Sequence, residues 1–260
     1  MDYGLDGKIA WITGAGGALG ASIAGALAAQ GCVTILTGRT RPSLEQTARA
    51  IGEGGGKPAD IVPADLSRRD DVDRAAAQIL QRHGRIDILV NSVALSTFGD
   101  FLELTDEDWE TVLQAKVMGY MRTLRAVLPA MVKQHYGRIV NISGRGGRQP
   151  TPAHLPGCSA NAAVHVLTKG LSDIYAKHNI RINAVAPGPI ESERFDKIAA
   201  STDAVTAGGA ASTRAPHIVP IGRKGLPQEI ADAVTYLLSD RAGYITGTIQ
   251  AVDGGGTVSI

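Results

Sequence analysis

Short apolar runs alternate with longer amphipathic segments along the whole chain of 260 residues. This alternation is typical of βαβ units, in which a helix follows each strand and covers the sheet. Runs such as IDILV and RIVNI are apolar almost throughout, as expected for parallel strands that are buried on both faces. We therefore predict an α/β fold with a doubly wound, parallel, seven-stranded sheet and helices on both faces.

The element boundaries follow from the same pattern. The predicted strands are 8–13, 33–37, 61–63, 86–91, 138–142, 181–186 and 248–252. The predicted helices are 19–30, 43–51, 70–83, 106–133, 161–177 and 228–238. A segment rich in Ala, Ser, Thr and Gly at about 193–224 has no strong period, and a loop of this length is typical of a lid. Since no linker precedes a second core, we predict one domain over 1–260.

The charge balance argues against two classes of partner. Lys plus Arg number 26 and Asp plus Glu number 25, so no bulk field favours nucleic acid or an anionic membrane. No apolar run reaches the length of a membrane span, and the first residues do not resemble a secretory leader. The two cysteines, Cys32 and Cys158, form no disulfide framework. We expect a cytoplasmic protein with a small-molecule substrate.

A glycine-rich turn joins the first predicted strand to the first predicted helix. It reads Thr13-Gly14-Ala15-Gly16-Gly17-Ala18-Leu19-Gly20. Glycines in this position let main-chain N–H groups approach a diphosphate, and the helix N-terminus adds partial positive charge. The order strand, turn, helix is typical of the Rossmann type of dinucleotide site. A tight turn without a ligand is the alternative interpretation.

This turn resembles the T-G-x-x-x-G-x-G motif of the short-chain dehydrogenase/reductase family, with Ala18 in place of the middle glycine. The resemblance continues through PADLS, NSVA, PGPIES and ITGTIQAVDGGG, which together span nearly the whole chain. It implies a dinucleotide site whose members come from all of these motifs. They are Gly14, Gly16, Gly17, Ala18, Leu19, Gly20, Asp65, Leu66, Asn91, Pro187, Gly188, Ile190 and Ser192. The methyl group of Ala18 is expected to narrow the approach to the phosphates.

The end of the second strand indicates which cofactor is preferred. An acidic residue there accepts a bond from the ribose 2′-hydroxyl of NAD, whereas this chain has Gly38 and then Arg39. The Arg39 guanidinium is suited to a 2′-phosphate. We therefore predict NADP(H), with NAD possible. A solvated arginine at the start of a helix is the competing interpretation.

The family's catalytic residues are a Ser, a Tyr, a Lys four residues after the Tyr, and an Asn. Aligned on the motifs above, their positions hold Gly144, Gly157, Asn161 and Lys116, so all four identities differ. The resemblance makes the Asn and Lys positions neighbours in a proton relay, so an amine is retained beside the nicotinamide. We predict Lys116 as the acid or base, with Asn161 as its partner and Ser143 nearby. In the alternative interpretation, which is nearly as acceptable, the Lys116 side chain extends from its helix to solvent.

Other polar residues follow the strand at 138–142. Arg145 and Arg148 are tentative contacts for an anionic substrate, together with His154. His154 and Cys158 have no partner nearby in sequence that would support a proton-transferring or nucleophilic role. Core packing is the expected role of His165. No metal-ligand spacing is present.

The resemblance also implies an assembly with two-fold axes, a homodimer or homotetramer. Three functions remain open at this point. The first is an NADP(H)-dependent oxidoreductase acting on a carbonyl or alcohol through a non-standard active site. The second is a non-redox lyase or cyclase on the same fold, and the third is a catalytically silent NADP(H)-binding or partner protein.

Overall fold

The computed structural model describes residues 2–93, 95, 97–192 and 219–258. Within these residues, seven parallel strands form one sheet in the order β3-β2-β1-β4-β5-β6-β7. The strand order reverses between β1 and β4, and in open α/β sheets ligands bind at such a switch point beyond the carboxyl ends of the strands. The predicted fold class is therefore confirmed.

The strands are β1 Ile9–Thr13, β2 Val33–Thr37, β3 Asp60–Ile61, β4 Ile88–Asn91, β5 Gly137–Ile142, β6 Ile180–Pro187 and β7 Ile249–Val252. The helices are α1 Ala18–Ala29, α2 Arg41–Glu53, α3 Arg69–His83, α4 Asp106–Leu113, α5 Gly119–Gln134, α6 Leu155–Tyr175 and α7 Pro227–Leu238.

Most predicted boundaries lie within two residues of the observed ones, but helix α6 was predicted incorrectly. It begins at Leu155, six residues before the predicted start at position 161. Pro156 stands in its first turn, where the missing N–H of proline leaves no hydrogen bond unmade. The Pro-Gly pair reads as a turn in the sequence, whereas here it starts a helix. Positions 157 and 161 therefore lie on consecutive turns of one helix.

The predicted helix 106–133 is interrupted at its middle. A π-helical turn, Gln114–Met118, separates α4 from α5. Such wide turns are rare, and many of those that are known lie at functional sites. This one contains Lys116, which is 5% exposed.

Two apolar layers cover the faces of the sheet. One contains Ile23 and Leu27 of α1 and Val234 of α7, and the other contains Ile79 of α3 and Val127 of α5. Burial of these side chains removes apolar area from water, which drives the folding of the domain. The helices thus cover both faces of the sheet and leave the carboxyl ends of the strands accessible for a binding site.

Every helix in the described part of the chain is too short or too polar to cross a bilayer. The same residues contain no cluster of three or more His, Cys, Asp and Glu side chains arranged to hold a metal ion. Most of the lid segment predicted at 193–224 lies outside the described residues, which resume at position 219.

Candidate active site

A cleft of about 610 Å³ opens beyond the carboxyl ends of β1 to β4. Its walls come from the residues that directly follow these strands and from the inner side of α4. They include Gly14, Gly17, Gly38, Arg39, Ala64, Asp65, Leu66, Ser67, Ser92, Val93, Glu107, Glu110, Thr111 and Gln114. The glycine-rich turn, the residues after β2 and the residues after β4 therefore share one cavity, as the sequence predicts for a dinucleotide site.

Two glycines of the turn after β1 are required by its geometry. Gly14 has φ +65°, and a Cβ atom there would lie 2.5 Å from the Ser92 main-chain oxygen. A Cβ atom on Gly20 would lie 2.2 Å from the Gly14 main-chain oxygen. Since real Cβ atoms do not approach so closely, a side chain at either position would force the turn apart. Strand β1, the glycine-rich turn and helix α1 therefore pack closely together at this point.

Hydrogen bonds hold the turn against the second βα unit. The Ala15 N–H donates to the Thr37 oxygen at 3.1 Å, and the Thr47 hydroxyl donates to the Ala15 oxygen at 2.9 Å. The helix then begins after Gly17, which supplies no side-chain cap, and the first turn of α1 contains no acidic residue. Its N–H groups and the positive end of its dipole are available to an anion.

Ala18 is the first residue of α1 and is exposed. The neighbouring Leu19 is half-buried, and its side chain packs helix α1 against the apolar layer. The effect of the Ala18 methyl group on phosphate binding stays a prediction.

The far end of the cleft carries Arg39 and Asp65. Arg39 is exposed beside Gly38. Asp65 Oδ1 accepts a hydrogen bond from the Ser67 N–H at 2.9 Å, and the Asp65 N–H donates to Asp71 Oδ2 at 3.2 Å. These contacts fix the loop after β3. Arg39 and Asp65 both line the cleft.

The Asn91 side chain is part of the core. It is fully buried, donates from Nδ2 to Asn141 Oδ1 at 3.0 Å and accepts from the Thr123 hydroxyl at 2.8 Å. Asn91 therefore joins β4, β5 and α5, and its contact with the cofactor stays a prediction. The cleft wall is formed instead by the next two residues, Ser92 and Val93.

Ser92 is a site residue that the sequence reasoning did not single out. It lines the cleft, and its Oγ atom is buried without a hydrogen-bond partner among the described residues. An unpaired buried hydroxyl costs free energy, so such an atom indicates a missing partner. Its place in the family motif, directly after β4, was the available signal.

The segment after β6 lies beside the end of β7. The Gly188 N–H donates to the Val252 oxygen at 3.1 Å, and a Cβ atom on Gly188 would lie 2.7 Å from Asp253 Cβ. Ile190 forms a β-bridge with Gly225, and the Ser192 hydroxyl lies 3.5 Å from the Ile190 oxygen. The predicted cofactor contacts at Pro187, Gly188, Ile190 and Ser192 are thus on one structured segment and stay predictions.

Lys116 lies in the interior rather than at the surface. Its Nζ atom donates to the Ser143 main-chain oxygen at 3.2 Å, at the carboxyl end of β5. With 5% of its surface exposed, Lys116 does not reach solvent, so that interpretation is excluded. The nearby Tyr120 hydroxyl lies 2.9 Å from both the Val93 and the Ile142 oxygens and ties β4 to β5.

Asn161 packs on the main chain where the resemblance places the family's serine. A Cβ atom on Gly144 would lie 2.8 Å from Asn161 Nδ2. Asn161 is 7% exposed, and its Oδ1 atom has no hydrogen-bond partner among the described residues. Lys116, Ser143 and Asn161 are therefore brought to one place, as predicted, with an acceptor left unpaired.

The Ser143 hydroxyl is already engaged by the protein. It donates to the Val185 oxygen at 3.1 Å and lies 2.9 Å from His165 Nε2. Because the hydroxyl proton is directed to Val185, His165 Nε2 is the donor in the second contact. Burial, Arg148 and Lys116 lower the pKa of His165 to about 4, so this ring is neutral at pH 7. Ser143 thus orients Lys116 through its main chain.

His154 occupies the space next to Gly157. A Cβ atom on Gly157 would lie 1.9 Å from His154 Nε2. His154 Nδ1 lies 2.9 Å from the Thr97 oxygen, and its ring stacks on Phe98 with the centroids 4.3 Å apart. The contacts of His154 thus come from a segment that lies far away in sequence, as expected for a residue without a partner nearby in sequence.

Arg145 and Arg148 have different environments. Arg145 is half-buried and donates to the Gly256 oxygen at 3.3 Å, whereas Arg148 is exposed. Cys158 is buried, with its Sγ atom 3.4 Å from the Thr151 N–H, and burial raises the pKa of its thiol. A protonated, enclosed thiol is a poor nucleophile. Substrate contacts by the two arginines stay predictions.

The residues present fit a bound dinucleotide. The cradle at Gly14 and Gly20 admits no side chain, and the uncapped start of α1 faces the same cleft. Two buried oxygen atoms, Ser92 Oγ and Asn161 Oδ1, lie beyond the ends of β4 and β5 without a partner in the described chain.

A parallel sheet with this cradle at its switch point defines a dinucleotide-binding α/β protein of the Rossmann type. Residues 14–257 match the family model described as enoyl-(acyl carrier protein) reductase. Nodulation protein G of Rhizobium meliloti is 34% identical over 253 residues, which cover 97% of this chain and 98% of the relative. The chain belongs to the short-chain dehydrogenase/reductase family.

Two further relatives support this assignment. The 3-oxoacyl-[acyl-carrier-protein] reductase FabG of Thermotoga maritima is 31% identical over 96% of this chain and 98% of the relative. The crystal structure of L-sorbose reductase from Gluconobacter frateurii, complexed with NADPH and L-sorbose, superposes with a TM-score of 0.89. It is 29% identical, and the match covers 100% of both chains.

Proposed function

We propose that the chain is an NADP(H)-dependent oxidoreductase that interconverts a small carbonyl compound and its alcohol in a non-standard active site. The observation that carries this proposal is the single cleft that joins the glycine-rich turn after β1 to Arg39, Asp65 and Ser92. A solved relative of similar fold is complexed with NADPH, which supports the same class of cofactor here.

The preference for NADP(H) follows from Arg39. The cleft wall after β2 presents glycine and arginine where an acidic residue would be needed for the ribose 2′-hydroxyl of NAD. A guanidinium binds a phosphate through charge-assisted, paired hydrogen bonds. The Asp65 carboxylate and the buried Leu66 complete the wall for the adenine end.

In the reaction, a bound nicotinamide cofactor supplies hydride. Lys116 places an ammonium group at the end of β5, where the oxygen of a bound carbonyl compound develops negative charge. Ser143 orients Lys116 through its main-chain oxygen, and Asn161 offers the unpaired Oδ1 as an acceptor. Arg145 and Arg148 remain candidate contacts for an anionic substituent of the substrate.

Titration and stopped-flow kinetics test this function. We expect NADPH to bind more tightly than NADH, and the protein to oxidise bound NADPH with a carbonyl compound from a panel that includes acidic ones. Lys116→Met should lower turnover about 10²–10⁴-fold without loss of NADPH binding, as for a lost catalytic group. Lys133→Met, an exposed position on α5, is the matched control and should behave as the parent protein.

Full activity of Lys116→Met would remove Lys116 from the mechanism. A parent protein that binds neither NADPH nor NADH would overturn the function as a whole.

A catalytically silent NADP(H)-binding protein is the second candidate. It is favoured by Gly144 and Gly157, which provide no side chain at the positions where the resemblance expects a serine and a tyrosine. Tight NADPH binding without turnover across the whole panel would support this candidate instead.

We also propose that residues 1–260 act as one domain in a cytoplasmic homodimer or homotetramer. Continuous apolar layers on both faces of one sheet support a single domain. Light scattering of the purified protein tests the assembly, and a monomer at micromolar concentration would contradict it.

A further inference from the structure

An imidazole ring fills the space that a side chain at position 157 would need. An ideal Cβ atom on Gly157 would lie 1.9 Å from His154 Nε2 and 2.1 Å from Cε1. Both residues belong to the start of α6, where His154 directly precedes the first helical residue. Gly157 and His154 are therefore complementary, because the glycine is what makes room for the ring.

The ring is held in one orientation by the segment after β4. His154 Nδ1 lies 2.9 Å from the Thr97 oxygen, and the ring stacks on Phe98 at an interplanar angle of 13°. A carbonyl oxygen only accepts hydrogen bonds, so Nδ1 carries a proton. In the neutral ring Nε2 is then the basic nitrogen, and it is this nitrogen that lies next to Gly157.

We propose that His154 is the proton donor and acceptor of this active site and takes the role for which the resemblance expects a tyrosine at position 157. The proposal rests on the oxidoreductase function proposed above and assigns its proton-transfer step. Lys116 and His154 then have separate roles. Lys116 supplies positive charge at the end of β5, and His154 moves the proton.

In the direction of reduction, the hydride and the proton go to the two atoms of the substrate carbonyl group. The carbonyl carbon of the substrate accepts the hydride supplied by the reduced cofactor, and the π electron pair moves to the carbonyl oxygen. That oxygen takes a proton that originates on Nε2 of the His154 imidazolium, which becomes neutral with its remaining proton on Nδ1. Solvent then returns the proton to Nε2.

Water molecules are expected to relay this proton. Nε2 lies where the first side-chain atom of residue 157 would be, whereas a tyrosine hydroxyl would project a ring's length further. Proton transfer in enzymes can run through a chain of water molecules, so the added distance does not exclude the role.

Kinetics with defined probes give the first test. Diacetyl and ethyl acetoacetate are used with saturating NADPH, and His154→Gln is compared with the parent protein. We expect kcat to fall about 10²–10⁴-fold in the variant while the Kd for NADPH is unchanged. Free imidazole should restore part of the turnover of His154→Ala. His135→Asn, at an exposed position just before β5, is the matched control.

Gly157→Ala tests the same geometry without removing the imidazole. The added methyl group collides with Nε2, so the ring must leave its contact with Thr97, and kcat should fall as it does in His154→Gln. Gly170→Ala is the control in the same helix, because a Cβ atom there meets nothing within 4 Å. A Gly157→Ala variant with parental kcat would overturn the proposal.

Nitrogen NMR of histidine-labelled protein gives a readout that does not depend on turnover. The His154 signals, assigned by their loss in His154→Gln, should show a protonated Nδ1 and an unprotonated Nε2 in the neutral ring, and they should shift when NADP⁺ is added. A proton on Nε2 instead, or signals unaffected by saturating NADP⁺, would overturn the role of His154.

The two proposals fail in different ways. A parent protein that binds NADPH and reduces no carbonyl compound overturns the oxidoreductase function, and the role of His154 falls with it. A parent protein that turns over while His154→Gln is equally active overturns the role of His154 alone.

Discussion

The cofactor cleft and the separate group of predicted catalytic residues beyond β5 are called here the cofactor end and the catalytic end of the site, and they are fixed by different parts of the chain. At the cofactor end, main-chain atoms and the absence of side chains determine the shape, as at Gly14 and Gly20. At the catalytic end, side chains determine it: Lys116 on Ser143, Asn161 on Gly144 and His154 on Gly157. A site of the first kind tolerates few substitutions, whereas one of the second kind can exchange its chemistry while the fold stays the same.

The difference agrees with the proposal of a non-standard active site within the family fold. A side chain at position 144 or 157 would collide with Asn161 or His154, so no empty space lies next to these glycines. Single substitutions back to the family's residues are therefore expected to be opposed by the neighbours already in place.

The largest expected effect, with protein stability and NADPH binding taken together, comes from the cofactor end. In Gly20→Ala, the new methyl group would lie 2.2 Å from the Gly14 oxygen, and main-chain atoms cannot move aside cheaply. We expect an overpacking cost of about 1–3 kcal/mol in the free energy of unfolding. NADPH affinity should fall by about tenfold or more, equivalent to about 1.4 kcal/mol. Calorimetry and urea unfolding measure both.

Gly25→Ala is the control in the same helix, because a Cβ atom there meets nothing within 4 Å. It should stabilise the protein slightly, since alanine favours helix over glycine. If Gly20→Ala bound NADPH with the affinity of the parent protein, the proposed difference between the cofactor end and the catalytic end would be contradicted.

An intermediate effect is expected at Arg39. Removal of a charge-assisted bond to a phosphate typically costs about 1.5–3 kcal/mol, so Arg39→Ala should weaken NADPH binding by about 10- to 100-fold. NADH binding should change little, because NADH lacks the 2′-phosphate. Arg49→Ala, an exposed arginine of α2, is the control. An equal loss for both nucleotides would assign Arg39 to the adenine or the diphosphate and not to the 2′-phosphate.

The smallest effect concerns His165 at the catalytic end. Burial, Arg148 and Lys116 lower the pKa of this ring to about 4, so the unfolded chain binds a proton at higher pH than the folded one. The free energy of unfolding should therefore decline as the pH falls from about 6.5 to about 4, and this contribution levels off below that range.

His165→Gln should make that decline shallower, as measured by urea unfolding at about pH 7 and about pH 5. A decline in the variant that is as steep as in the parent protein would contradict the lowered pKa. It would show that the catalytic end gains no pH sensitivity from this buried ring.

The sequence predicted the secondary structure of the cofactor end well because the features that mark it are local. The strand, the glycine turn and the helix lie within positions 9–29, and spacing along the chain is enough to recognise them. The helical period likewise predicted α3 and α7 to within one residue. The start of α6 was missed because Pro156 and Gly157 indicate a turn unless tertiary contacts are known.

The catalytic end was harder to predict because its contacts join distant segments. Thr97 and His154 are 57 positions apart, and nothing in either segment indicates that they meet. The burial of Lys116 depends on a π-helical turn that no sequence period marks. The side chain of Asn91 joins β4, β5 and α5, and its position in the motif does not indicate these contacts.

Helix α1 begins without a capping side chain and without an acid in its first turn. Helices usually satisfy these leading amides with their own residues, at a gain of about 1 kcal/mol. Here an anion from outside the chain would complete the element, so ligand binding and the stability of the folded domain are linked. A higher nucleotide concentration would then raise the free energy of unfolding.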